Sequence, residues 1–105
     1  AGALQAKVVK ASGAFHTPMM AGAKDMLLSQ LEKMKGSMKS PTCQVYMNTT
    51  ATAIGPNTPV SDIIKLMGEQ LVNPVFWEQS MLAAIKDGYQ EFLECGPGKQ
   101  LKAMM

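Results

Sequence analysis

Along this 105-residue chain the apolar positions fall into alternating strand-like and helix-like periods. Residues 6–10 (Ala-Lys-Val-Val-Lys) read as a short strand with β-branched residues at its centre. Ser12-Gly13 breaks that pattern. Thr17-Pro18 then signals a helix start, with threonine as N-cap and proline in the first turn. Met19/Met20, Ala23, Met26/Leu27, Leu31 and Met34 repeat at the spacing of one buried helical stripe, and Gly36 closes it. Residues 42–48 alternate, with Cys43, Val45 and Met47 on one face, as in a half-buried strand. Residues 49–59 are rich in Thr, Gly, Pro and Asn and read as a loop. Pro59 and Ser61-Asp62 open a second helix carrying Ile63/Ile64, Met67 and Leu71, which Asn73-Pro74 interrupts. A third helix spans about 75–86 and stops at Asp87-Gly88. Residues 89–95 read as a strand, Gly96-Pro97-Gly98 as a tight turn and residues 99–105 as the start of another helix.

Strands separated by helices predict an α/β architecture with at least partly parallel strands. About three short strands are expected, with helices packed on them. The chain is one domain or part of one, and it lacks an initial methionine. No internal repeat or low-complexity segment interrupts it.

Composition narrows the function. The chain is 47% apolar by count, so it has the makings of a core. All ten basic residues are lysine, against eight acidic ones. Without arginine, the preferred fork for phosphate and guanine edges, a nucleic-acid partner is not expected. The longest apolar run is far shorter than the ~20 residues of a membrane span, so no membrane is expected either. One histidine and two distant cysteines, Cys43 and Cys95, cannot assemble a zinc set, and no metal is expected. The cysteines are read as reduced core thiols. The ten methionines are read as flexible gap-fillers of the core.

Candidate chemistry concentrates at His16, the single histidine, placed between the first strand and the first helix. Histidine titrates near neutral pH and is the natural general base. A packed or capping histidine is the competing reading, and on periodicity alone both stay open. No serine stands in a G-x-S-x-G elbow, so a complete Ser–His site is not expected within these residues. Gly96-Pro97-Gly98-Lys99 lacks the earlier glycine and the following Ser or Thr of a phosphate loop. Glu94 beside Cys95 disfavours a thiolate nucleophile. Lys24, Lys33, Lys35 and Lys39 form a basic stretch, read as a solvated face or as a docking surface for an acidic partner.

Four stretches in fixed order carry a family resemblance. They are Gly13-Ala14-Phe15-His16-Thr17-Pro18-Met19-Met20, Val45-Tyr46-Met47-Asn48, Gln70-Leu71-Val72-Asn73-Pro74-Val75-Phe76-Trp77 and Glu94-Cys95-Gly96-Pro97-Gly98-Lys99-Gln100-Leu101. Together they resemble the C-terminal third of malonyl-CoA:acyl carrier protein transacylases of type II fatty acid synthesis. The resemblance runs from about residue 6 to the end, and it implies that residues 1–105 form the C-terminal segment of a malonyl/acyl transferase domain. The fold it implies is the C-terminal part of an α/β-hydrolase-like acyltransferase core.

Members of this family pass malonyl from coenzyme A to the phosphopantetheine arm of acyl carrier protein through a malonyl-serine ester. By resemblance, His16 is the base and the backbone carbonyl of Gln70 orients it. Phe15 matches an aromatic that accompanies malonyl rather than methylmalonyl units, a steric preference of about 1–3 kcal/mol. The resemblance implies no resident cofactor, since the coenzyme A thioester and the phosphopantetheine arm are substrates. Its implied partners are malonyl-CoA, acyl carrier protein and the missing N-terminal part of the same enzyme.

The serine elbow, the oxyanion hole and the arginine clamp of the family have no counterpart here. The chain alone is therefore expected to be inactive. The alternatives are a non-enzymatic module docking carrier protein, or a fragment without independent function. The implied compartment is the cytoplasm in a bacterium, and the plastid or mitochondrion in a eukaryote.

Overall fold

Proline at position 18 shapes the first helical segment of the computed structural model, which describes residues 6, 8 and 11–105. The strand expected over residues 6–10 falls largely on positions outside the described residues. Thr17 is extended (φ −133°, ψ 160°), as an N-cap should be, but its hydroxyl makes no cap bond. It donates instead to the carbonyl of Ala14 at 2.7 Å, tightening the approach to the helix. A 3-10 turn, Pro18–Met20, then leads straight into α1, Ala21–Met34. Another 3-10 turn, Lys35–Ser37, follows α1. Gly36 lies inside that turn, so it does not serve as a left-handed cap. The Ser37 hydroxyl donates to the carbonyl of Met34 at 2.8 Å and satisfies one helix-end acceptor.

The alternating stretch at 42–48 pairs only through β1, Val45–Tyr46. Its partner is β2, Ala53–Ile54, within the segment expected to be a loop. The two run antiparallel, with Val45 opposite Ile54 and Tyr46 opposite Ala53. Among the described residues this two-stranded hairpin is the sheet, which corrects both the parallel arrangement and the strand count. A short reversal explains it. Amides of Thr50 and Ala51 turn back onto the Met47 carbonyl at 3.2 and 2.9 Å, and Ala51 takes φ 53°. A connection this short can join only antiparallel strands.

The second helix, α2, spans Val60–Val72, with Asp62 favourably placed in its first turn. Asn73 is extended (φ −116°, ψ 153°), the conformation imposed on a residue before proline. The third helix, α3, begins at Trp77 rather than 75 and ends at Lys86. Phe76 is its N-cap, non-helical at φ −94°, ψ 66°, and its free amide donates to the Asn48 carbonyl at 2.7 Å. Gly88 (φ 99°) closes α3: its amide bonds the Ile85 carbonyl and the Tyr89 amide bonds the Ala84 carbonyl. That paired return is a Schellman cap, as Asp87-Gly88 suggested.

Residues 89–95 do not form the expected strand, because no strand lies alongside them among the described residues. The Glu94 carboxylate instead accepts the amides of Leu101 and Lys102, both at 3.1 Å, in the first turn of α4, Gln100–Met104.

The architecture is mixed α and β, with four α-helices and the hairpin among the described residues. The α1–α2 contact is the most extensive between elements, and Leu31, Ile63 and Ile64 are buried. Burying an isoleucine such as Ile64, only 2% exposed, contributes about 2 kcal/mol. At Gly68 an added Cβ would lie 2.8 Å from Leu28 Cδ2, so glycine sets the approach of the two helices. No helix among the described residues is long and apolar enough to cross a membrane.

The core is sparse. Met47 is the buried methionine, while Met19, Met26, Met34, Met104 and Met105 are exposed, so the gap-filling role expected of them holds for few. Cys43 and Cys95 are free and exposed, rather than core thiols. The radius of gyration is 15.7 Å, against about 13 Å for a compact domain of this length.

Candidate functional site

Helix α2 leaves a carbonyl without its usual partner. In an α-helix the carbonyl of Gln70 would accept the amide of the residue four positions on. That residue is Pro74, which has no N–H. The vacant acceptor is filled from a distant part of the chain: His16 Nδ1 lies 2.7 Å from the Gln70 oxygen. A carbonyl can only accept, so Nδ1 carries the hydrogen and Nε2 keeps its lone pair. One ring nitrogen is thereby anchored and the other is left without that bond.

Local backbone geometry brings the ring there. His16 has φ 60°, in the left-handed region where a non-glycine residue costs roughly 1–3 kcal/mol. The Thr17–Ala14 bond on one side and the Pro18 turn on the other hold that conformation. The ring is half-buried.

Gln70 is held by its side chain as well. Asn48 Nδ2 donates to Gln70 Oε1 at 3.2 Å, while the Asn48 carbonyl accepts the Phe76 amide. The hairpin end, the close of α2 and the lead into α3 thus meet behind the His16–Gln70 pair. Sequence reasoning did not single out Asn48 for this role. Its place in Val45-Tyr46-Met47-Asn48 was the available signal.

The preceding residue, Glu69, is more heavily engaged. Lys24 Nζ lies 2.7 Å from Glu69 Oε1. Asn73 Nδ2 donates both to Glu69 Oε2, at 2.7 Å, and to the Glu69 carbonyl, at 2.9 Å. The bonds from Lys24 and then Asn73 hold the Glu69 carboxyl below its ordinary range.

Phe15 stands next to His16 but is 55% exposed, and its ring folds back toward Gly13. Two of the four lysines in the basic stretch are in ion pairs, Lys24 with Glu69 and Lys35 with Glu32, so that surface is less freely cationic than the sequence suggests. A cleft of about 480 Å³ lies between α3 and α4 and includes neither His16 nor Gln70.

Among the described residues no serine hydroxyl hydrogen-bonds to His16. Ser37, Ser40 and Ser80 donate instead to the carbonyls of Met34, Thr58 and Phe76. The arrangement can orient a base and move a proton. It shows no nucleophile for that base to serve.

Comparison with known proteins supplies the context. The chain is 36% identical over 103 residues to the mitochondrial malonyl-CoA-acyl carrier protein transacylase of Homo sapiens, covering 94% of the chain and 25% of that protein. It is 33% identical over 104 residues to the malonyl CoA-acyl carrier protein transacylase of Bacillus subtilis, covering 99% of the chain and 31% of that enzyme. Against the Salmonella typhimurium transacylase the identity is 31%, covering 99% of the chain and 32% of the relative. The chain thus spans a quarter to a third of the length of the curated relatives it matches, a share that fits a C-terminal segment. No protein-family model and no solved structure matches it. Its relatedness to malonyl-CoA-acyl carrier protein transacylases extends along nearly its whole length.

Proposed function

We propose that this relative of the malonyl-CoA-acyl carrier protein transacylases supplies the histidine base of a malonyl transfer from coenzyme A to acyl carrier protein. The observation that carries the reading is the 2.7 Å bond from His16 Nδ1–H to the Gln70 carbonyl, which leaves Nε2 free to take a proton.

In the proposed cycle a serine from another part of the enzyme gives its Oγ proton to His16 Nε2. The Oγ attacks the malonyl thioester carbonyl, and the C–S bond breaks. The coenzyme A thiolate takes the proton back from the imidazolium, leaving a malonyl-serine ester. The carrier thiol next gives its proton to Nε2 and attacks the ester, and the serine oxygen leaves and recovers that proton. The Gln70 carbonyl holds the ring through both halves. It stabilises the imidazolium less than a carboxylate would, because it carries only a partial charge.

The thin core supports a reading as part of a larger enzyme. Among the described residues sixteen large hydrophobic residues are exposed, Phe15, Phe76, Leu82 and Leu93 among them, and none of the large side chains is fully buried. The partners in this reading are malonyl-CoA, acyl carrier protein and the remaining part of the transacylase. The compartment is the cytoplasm of a bacterium, or the mitochondrion or plastid of a eukaryote. The mitochondrial relatives support the organelle assignment in the second case.

The test is a pair of assays with malonyl-CoA and acyl carrier protein. We expect the chain alone to be inactive. Fused behind the remaining part of the Bacillus subtilis transacylase, it should restore malonyl-carrier formation. Turnover by the chain alone, or no turnover by a folded fusion, would refute the proposal.

A further inference from the structure

We infer that Glu69, clamped between Lys24 and Asn73, is a positioning residue for His16. Two tethers join the same pair of elements at adjacent residues. His16, at the approach to α1, reaches Gln70, and Lys24, within α1, reaches Glu69 at 2.7 Å. Both bonds end on the last turn of α2, one from the approach to α1 and one from within it.

That last turn is where a helix normally frays, because its carbonyls lack partners. Here Asn73 bonds both the Glu69 carbonyl and its carboxylate, by its Nδ2, and adds its own amide to the same carbonyl at 3.1 Å. The Glu69 peptide is thereby fixed, and the Gln70 carbonyl, one residue on, inherits its direction. The Lys24–Glu69 pair also sets how far α1 stands from that turn. A slip there would move the His16 ring away from its acceptor. Lys24 and Glu69 side chains are only 23% and 35% exposed, so solvent weakens the pair less than it does the more open Lys35–Glu32 pair.

This role rests on the proposed use of His16 as a base, yet its test does not need turnover. Imidazole nitrogen-15 shifts in the chain report which ring nitrogen of neutral His16 carries hydrogen, and amide protection reports whether α2 is folded. In the wild type the Nδ1–H tautomer should dominate. Lys24→Met and Glu69→Gln should shift the tautomer ratio toward Nε2–H by roughly three- to tenfold, the range commanded by one net hydrogen bond. Lys24→Arg should restore the wild-type ratio. Lys35→Met, which removes an exposed pair, should leave it unchanged.

Wild-type His16 without a dominant Nδ1–H form would overturn the base geometry itself. A dominant form that survives in folded Glu69→Gln, whose side chain keeps the same shape, would overturn the positioning role alone. An equal shift in Lys35→Met would overturn it too.

Discussion

Pro74 stands four residues after Gln70 and offers its carbonyl no N–H, so the acceptor is open to His16. Replacing the proline gives a direct prediction. Pro74→Ala supplies an amide that competes for the Gln70 oxygen and lets α2 continue. In the fusion enzyme, malonyl loading should fall by roughly tenfold, the scale of one net hydrogen bond. Loading measured by radiolabel transfer at unchanged secondary structure checks this.

Gln70→Ala should behave differently. The carbonyl that holds His16 belongs to the backbone and survives the change, so loading should stay within about threefold of wild type. The lost partner of Asn48 should appear as a stability loss of about 1 kcal/mol in urea unfolding. A large activity defect in a folded variant would contradict the backbone role.

How much of this was readable in the chain depended on whether the signal was local. Thr17-Pro18, Asn73-Pro74 and Asp87-Gly88 marked helix ends through proline and glycine chemistry, and the helices follow them within a few residues. The second strand of the hairpin was not readable. Only Ala53 and Ile54 pair, too few for an alternating pattern, and the polar residues around them read as loop. Residues 89–95 had strand-like composition, but a strand needs a neighbour that composition does not report. At the site, His16 stood out as the single histidine, while its role as base and its Gln70 partner came through the family resemblance. Periodicity alone gave no reason to join residues 54 positions apart. The Lys24–Glu69–Asn73 clamp was missed because Lys24 read as one member of a solvated basic stretch.

Packing gives a second stability prediction. Gly68→Ala would put a methyl 2.8 Å from Leu28 Cδ2 and 3.1 Å from its Cγ, so α1 and α2 must part or Leu28 must change rotamer. We expect a loss of about 1–3 kcal/mol, read from the denaturation midpoint at constant slope.

Acid should act through Glu69. Its folded carboxyl titrates below the ordinary 4.5, held there first by Lys24 and then by Asn73. A lowered folded value contributes stability above the unfolded pKa, and that contribution is lost as pH falls through the folded one. Wild-type stability should therefore decline below about pH 4.5 more steeply than that of Glu69→Gln. Equal slopes in urea titrations across that window would contradict the clamp.

Alkali should act through Tyr46, whose hydroxyl donates to Asp87 Oδ2 at 2.5 Å and whose pKa is pushed up to about 12 by that bond. A raised folded value gives stability that is present below the ordinary 10.0 and is lost as pH rises through about 12. Asp87→Ala should bring the Tyr46 ultraviolet titration back toward 10.0. A titration unmoved by that change would contradict the pairing.

The central claim is that His16 is the base of a malonyl transfer, and single-turnover malonylation of the fusion enzyme tests it most directly. With His16→Ala, ester formation from malonyl-CoA should slow by about 10²- to 10⁴-fold, the usual contribution of a general base. A folded His16→Ala enzyme that forms the ester at the wild-type rate would contradict it.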